Sequence, residues 1–377
     1  MKISIPRETH PGESRAPLTP HSADKLVKLG AQVEVEAGLG TAAGFPDAAY
    51  TEAGATMTSD RKALISSADI VLRLRKPPLE EIAWLKPGAI HASLLDPFNE
   101  KELVQRLAEH GVSAVSMEFI PRTTRAQSMD VLSSQANLGG YEAVILAASY
   151  SNKIFPMMTT AAGTILPSKV FIIGVGVAGL QAIATAKRLG AKVTAYDTRP
   201  VVEEQVKSLG GQFLKIDLGE TGQTKEGYAK ALTEEQIQKQ RDAMNKTCGD
   251  SDIVITAAQV FGRKAPILVT AEMLDAMKPG SVVVDLAVET GGNVEGVVYD
   301  QVTDRKGVKI VGVANLPGRV PLHASQVYSA NLVAFVSEFW DKEKKAFVLN
   351  LEDEIIKGCL VTHDGKIVNE KLITKPN

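Results

Sequence analysis

Apolar and polar positions along this chain fall into two alternating rhythms. Short apolar, β-branched runs recur at Ile3-Ser-Ile, Gln32-Val-Glu-Val-Glu, Ile70-Val-Leu-Arg-Leu, Ala89-Ile-His-Ala-Ser-Leu-Leu and Val112-Ser-Ala-Val-Ser-Met. They read as strands, with helix-like segments between them. Thr19-Pro20 predicts a cap followed by proline at the first helical position, opening a helix that runs through Leu29. Asn99 with Glu102 three residues on predicts a capping box for a helix ending near Gly111. A polar loop over 120–137 breaks the pattern and leads into a long helix from about Ser133 to Tyr150. Pro156–Ser168 is a connection.

The rhythm then resumes. Lys169-Val-Phe-Ile-Ile is a buried strand, an alanine-rich helix ends at Gly190, and Lys192-Val-Thr-Ala-Tyr-Asp197 is a second strand. A helix over Val202–Leu209, a strand at Phe213-Leu-Lys-Ile and three apolar strands starting at Asp252, Ser281 and Val308 follow. Leu316–Leu322 is a hinge, an amphipathic helix runs from about Ser325 to Lys345, and Asp364-Gly365 turns a hairpin. Repeated β and α segments predict parallel sheets covered on both faces. The fold expected is α/β, with two doubly wound Rossmann-like domains and a cleft between them. The first domain takes 1–136 and 321–377, and 137–320 is the nucleotide domain.

Composition removes several classes of function. The 377 residues carry a net charge of −2, which points away from nucleic acid. Cys248 and Cys359 match no metal spacing and no disulfide framework, so no metal is expected. Met1-Lys-Ile-Ser-Ile-Pro begins a strand rather than a signal peptide. The uncharged stretch between Lys169 and Lys187 is short for a membrane span and three glycines interrupt it, so an integral membrane protein is not expected.

The chemistry concentrates in Gly174-Val-Gly176-Val177-Ala178-Gly179, a G-x-G-x-x-G between strand and helix. Gly174 permits the tight turn, Gly176 lets backbone approach a pyrophosphate, and Gly179 lets helix pack on strand. The helix N-terminus offers N–H groups to phosphates. Asp197, at the end of the next strand, lies where an acid accepts from the adenosine ribose hydroxyls. NAD(H) is therefore the expected cofactor. The polar insertion around Gly227 and Tyr228 predicts a loop that closes on bound dinucleotide. Gly38-Leu-Gly40-Thr-Ala-Ala-Gly44 comes near the same motif, but its last glycine falls one residue late.

Three stretches carry a family resemblance that covers essentially the whole chain. Ile5-Pro-Arg-Glu with Glu13-Ser-Arg15-Ala-Pro-Leu-Thr-Pro20 resembles the opening of the alanine dehydrogenase and pyridine-nucleotide transhydrogenase superfamily. Pro121-Arg122-Thr-Thr-Arg-Ala-Gln127-Ser128-Met129-Asp130-Val-Leu-Ser133 resembles the Arg–Gln–Asp loop in the NAD(H)-binding component of proton-translocating NAD(P) transhydrogenases. Tyr-Asp197-Thr198-Arg199 and the Gly227-Tyr228 insertion are similar to that family's Rossmann unit and mobile loop. The resemblance implies that Gln127 sets ring positions, that Arg122 and Asp130 hold the carboxamide end, and that Ser133 assists from the helix start. Ser128, Met129, Val177, Ala178, Thr198, Arg199 and Gln259 join the implied nucleotide contacts. Gln259 stands where some relatives carry an apolar residue.

The alanine dehydrogenase branch is testable on residues. Its catalytic lysine is replaced here by Arg75, and its catalytic histidine by Asp96. An amino-acid dehydrogenase needs an acid–base group, since a proton leaves as hydride leaves. Of the six histidines, only His323, in a Pro/Gly loop, is a candidate. Transfer between two nicotinamides moves hydride alone and asks the protein only to hold two rings together. The reading is an NAD(H)-binding component that passes hydride to NADP bound by a partner, the beta subunit or domain III. The resemblance further implies a homodimer, a membrane-spanning proton channel as partner, and a cytoplasmic, peripheral place on the bacterial inner membrane. A soluble amino-acid dehydrogenase and a non-catalytic NAD-binding module are the alternatives.

Overall fold

The computed structural model describes residues 1–219 and 232–373. The chain forms two compact units, Met1–Gln135 with Gly318–Asn377, and Ala136–Pro317. Each is built on its own sheet.

The sheet of the first unit runs Lys366–Ile367, Leu360–His363, Ser113–Ser116, Ile90–Ser93, Ile70–Leu72, Lys2–Ile5, Gln32–Glu36, Thr56–Thr58. From Ser113–Ser116 to Thr56–Thr58 every pair is parallel, and the order reverses between Lys2–Ile5 and Ile70–Leu72. That is the doubly wound arrangement. The central strands are buried along their whole length, because helices cover both faces. Leu360–His363 pairs antiparallel with Ser113–Ser116 and extends the sheet. Asp364 and Gly365, both at positive φ, make the two-residue turn of its hairpin.

The second unit has seven strands in the order Gln212–Phe213, Lys192–Tyr196, Lys169–Ile173, Ile253–Thr256, Val282–Asp285, Val308–Val311, Val302–Arg305, all parallel except the last pair. Successive side chains of these strands face opposite layers. Val170, Ile172, Ile253, Ile255, Val282 and Val284 pack against Ala143, Ala147, Ala182 and Ala186. Phe171, Ile173, Val254 and Val283 pack against Met244, Cys248 and Met273. The alanine-rich layer brings helices close to the sheet. Among the described residues, no helix is long and apolar enough to cross a membrane.

Several local expectations are corrected. The helix at 101 starts after Glu100, with no side-chain cap; the Asn99 amide donates to Asp96 instead. Thr19 precedes its helix without capping it, and its N–H donates to the Ser329 hydroxyl. The helix placed at Ser325–Lys345 spans Pro321–Glu338, and Trp340–Asp341 pairs with Ala346–Phe347 in a hairpin. His323 therefore lies in that helix's first turn and not in a loop, and it is exposed. The connection at 156–168 holds a two-stranded hairpin, Met158–Thr160 with Gly163–Ile165. The strand at Phe213 is only two residues long, Gln212–Phe213.

Candidate functional site

In the second unit, strand Lys169–Ile173 ends at Gly174, whose φ of +94° suits glycine. A Cβ there would stand 2.9 Å from the Ala257 carbonyl carbon. Helix Val177–Arg188 begins at Gly176 with no side-chain cap and no acid in its first turn, so its leading N–H groups remain suited to an anion. A Cβ on Gly176 would meet nothing within 4 Å. A Cβ on Gly179 would lie 1.9 Å from the Gly174 oxygen. The first and third glycines are thus demanded by the protein's own packing. The second is not, and an open, Cβ-free approach to a helix N-terminus is what a pyrophosphate fits. Val177 and Ala178 are half-buried in that first turn.

Asp197 already has partners. Its Oδ2 accepts from the Val175 N–H at 2.8 Å, and both of its oxygens accept from the Arg199 guanidinium at 2.9 Å. The Asp197 partner is the main influence raising the Arg199 pKa. A cavity of about 320 Å³ opens beside this pair, lined by Tyr196, Asp197, Thr198, Pro200, Glu203 and Phe213 among others. Gln259 is exposed and donates to the Leu286 carbonyl at 3.1 Å, which places it at the ends of strands Ile253–Thr256 and Val282–Asp285. Gly227 and Tyr228 lie outside the described residues.

Three features of this unit leave no clear mark in the sequence. Gly140, in the long helix Val131–Tyr150, would place a Cβ 2.1 Å from the Ala178 carbonyl oxygen. Glycine there lets that helix reach the start of the nucleotide helix. Asp285, fully buried, accepts from the backbone of Ala287, Asn293 and Val294. Burial raises its pKa, against those hydrogen bonds. Asn293 in turn grips both the N–H and the carbonyl of Ala258. The only signals for them are a strand ending in Asp and an Asn after two glycines; neither specifies a network without the fold.

In the first unit, Gln127–Met129 form a single 3₁₀ turn. Gln127 and Ser128 are exposed, whereas the Met129 side chain is buried and anchors the turn. Asp130 accepts from the Ser133 N–H at 2.9 Å and the Ser133 hydroxyl at 2.6 Å, capping the helix that starts at Val131. Arg122 is exposed, with its Nε 4.0 Å from Asp130 Oδ2. The loop thus brings Arg122, Asp130 and Ser133 together and presents Gln127 outward.

The near-motif at Gly38 is no nucleotide loop. It enters a three-residue 3₁₀ turn, and a Cβ on Gly40 would sit 2.6 Å from Phe45 and Tyr50 atoms. The strand ends of this unit instead carry internal ion pairs. Glu13 is held by Arg15 and by Arg75 Nε at 2.9 Å. Burial works to raise its pKa, but the two guanidiniums hold it down at about 2.

Residues 4–139 match the family described as "Alanine dehydrogenase/PNT, N-terminal domain", and 143–370 match "Alanine dehydrogenase/PNT, C-terminal domain". The chain belongs to the alanine dehydrogenase/PNT family. It is 47% identical over 379 residues to the first portion of NAD(P) transhydrogenase subunit alpha of Rhodospirillum rubrum, covering 99% of each chain. It superposes on a transhydrogenase from Sinorhizobium meliloti with a TM-score of 0.88 and 46% identity, covering 98% of this chain and 100% of that one. Identity to the alanine dehydrogenase of Bacillus subtilis (strain 168) is lower, 32%, over 98% of this chain and 93% of that protein.

Within this family the two branches part at Arg75 and Asp96. Arg75 is committed to Glu13. Asp96 is exposed, at φ 53°, and accepts from Asn99 at 2.8 Å. Neither provides the amine and imidazole that acid–base work on an amino acid requires.

Proposed function

We infer that this chain is the NAD(H)-binding component of an NAD(P) transhydrogenase and that it gives hydride to, or takes it from, NADP(H) held by a partner. The observation that carries the reading is the match along 99% of both chains to a transhydrogenase alpha subunit, with 47% identity. The residues fit the cofactor. Gly176 leaves the helix N-terminus open, and Asp197 stands beside a cavity that suits the adenosine end. In the proposed site, Gly174, Gly176, Val177, Ala178 and Gly179 hold the pyrophosphate, while Asp197, Thr198 and Arg199 hold the adenosine side. Arg122, Asp130 and Ser133 act at the carboxamide end, Gln127 sets ring position, and Gln259 adds a contact. The nicotinamide itself supplies the hydride chemistry. One ring loses hydride as the other gains it, and no proton is exchanged between them, so a site without a paired acid and base suffices.

The transhydrogenase relatives imply a partner subunit. Its finer description is proposed with the rest: an NADP(H)-binding beta subunit or domain, a membrane-spanning proton channel, and docking on the cytoplasmic face of a bacterial membrane. A homodimer is proposed too. Met157, Met158, Ile165 and Leu166, on and beside the hairpin at 158–165, are exposed apolar residues of the kind that interfaces cover. Leu166→Asp should lower the mass seen by sedimentation if that hairpin is the contact.

The test mixes the chain with an NADP(H)-binding transhydrogenase component and follows hydride transfer between NADH and an NADP analogue in single turnovers. The chain alone should bind NADH and transfer nothing to NADP. NADH oxidation driven by a small oxo-acid and ammonia, without any partner, would overturn the reading in favour of an amino-acid dehydrogenase.

A further inference from the structure

We propose that Asn331 is a positioning residue for hydride transfer, fixing the turn that presents Gln127. This rests on the reading that Gln127 sets ring position. Asn331 lies on helix Pro321–Glu338 and is 8% exposed. Its Nδ2 donates to the Ser128 carbonyl at 2.7 Å, and its Oδ1 accepts from the Ser134 hydroxyl at 2.7 Å. A carbonyl oxygen only accepts, so Ser128 dictates which end of the amide faces it.

The consequence lies in what this amide joins. Ser128 is the middle of the 3₁₀ turn Gln127–Met129, and Ser134 is in the first turn of helix Val131–Tyr150. Asn331 therefore ties the turn to the helix through a third element. Met129 anchors the same turn by its buried side chain, and Asp130 caps the helix through Ser133. Those two fix where the turn begins and ends. The Ser128 carbonyl fixes its rotation, because the peptide plane that follows Ser128 is set by the bond that carbonyl makes. Gln127 is one residue upstream and exposed. A rotation of that plane swings its side chain without breaking the helix or the core. Chemistry that depends on ring distance is sensitive to shifts of this size, with about 1 Å of misplacement costing roughly 100-fold in rate.

The decisive variant is Asn331→Asp. It keeps the shape and the acceptor facing Ser134, and it replaces the donor facing Ser128 by an oxygen. Asn331→Ser, neutral and shorter, removes the same bond without adding a charge, and stands in if the aspartate variant fails to fold. Ser134→Ala removes the other bond and leaves the Ser128 contact intact. The readouts are NADH affinity on the isolated chain, melting temperature, and the single-turnover transfer rate with the NADP(H)-binding component. Asn331→Asp and Asn331→Ser should lower transfer by roughly tenfold or more while NADH affinity stays within about threefold. Ser134→Ala should transfer within about threefold of wild type. Wild-type transfer by both Asn331 variants would overturn the proposal, as would NADH affinity falling in step with rate. Failure of the wild-type chain to transfer at all would instead overturn the function of the site, which keeps the two readings separable.

Discussion

Arg199 and Asp197 form a two-pronged pair that also grips the glycine turn. Nε and one terminal nitrogen of Arg199 bind the two carboxylate oxygens at 2.9 Å, and that terminal nitrogen reaches the Val175 carbonyl at 3.1 Å. The Val175 N–H donates back to Asp197. Both backbone polar groups of the residue between Gly174 and Gly176 are thus held by one ion pair. An arginine so engaged has little charge left for a 2′-phosphate, while the carboxylate still stands where that phosphate would sit. NADH should bind about tenfold or more better than NADPH. Asp197→Asn should narrow the gap, whereas Arg199→Ala should weaken both cofactors together by loosening the turn. Equilibrium titration of each reduced cofactor checks this, and equal affinities in the wild type would remove the role given to Asp197.

The three motif glycines should separate by what their substitution damages. Gly179→Ala drives a methyl into the Gly174 oxygen, 1.9 Å away, and should destabilise the second unit by about 1–3 kcal/mol or more. Gly176→Ala has open space on the protein side, so melting should barely move while NADH affinity falls at least about tenfold. Thermal melts and NADH titrations on both variants decide it. A Gly176→Ala chain that binds NADH normally would mean that the pyrophosphate does not approach there.

The parallel strands were legible because strands buried on both faces read as unbroken apolar runs, as in Val282–Asp285. Edge strands were not. Thr56–Thr58 and Val302–Arg305 are short, polar and partly exposed, and they show no apolar run to follow. Helix Glu234–Asp250 escaped for a similar reason: it buries only Gln240, Met244 and Cys248, at fourfold spacing within a charged sequence. The nucleotide motif was visible since its spacing is local. Gly140, Asn293 and Asn331 act through partners 35 to 203 residues away, or through a helix contact, and only the fold brings them to the site.

Glu8 gives a stability prediction with a definite sign. Its carboxylate is enclosed, although the residue keeps some surface, and Oε1 accepts from the Leu74 N–H at 2.6 Å. Burial pushes its pKa up to about 7, with Arg73 pulling it down and Glu13 pushing it further up. The buried Tyr328 phenol also feels its charge. Between the unfolded value near 4.5 and the folded value near 7, the folded chain holds the extra proton. This contribution is therefore full below that window and lost as pH rises through it. Glu8→Gln should be more stable than wild type at about pH 8 by roughly 1–2 kcal/mol, less than the full shift would carry because water reaches the residue. The difference should close below about pH 5. Denaturant unfolding at both pH values measures it. A gap that widens toward acid would reverse the sign and show the carboxylate ionised and paired in the folded chain.

Gln127 offers the sharpest division between binding and chemistry. It is exposed on a turn whose own fixings, Met129 and Asp130, do not involve its side chain. Substituting it should therefore leave the fold intact, and melting should stay within a few degrees. If it positions the rings, its loss weakens the transition state more than the bound ground state. Gln127→Asn shortens the side chain by one methylene, and transfer in single turnovers with the NADP(H)-binding component should fall by up to about 100-fold. NADH affinity on the isolated chain should change by no more than about threefold, because the glycine turn and the Asp197–Arg199 pair hold the other end. A large loss of NADH binding with an unchanged transfer step would make Gln127 an anchor instead. Normal values of both would make it a bystander and shift attention to Arg122 and Asp130, whose 4.0 Å approach leaves room to tighten on a bound carboxamide.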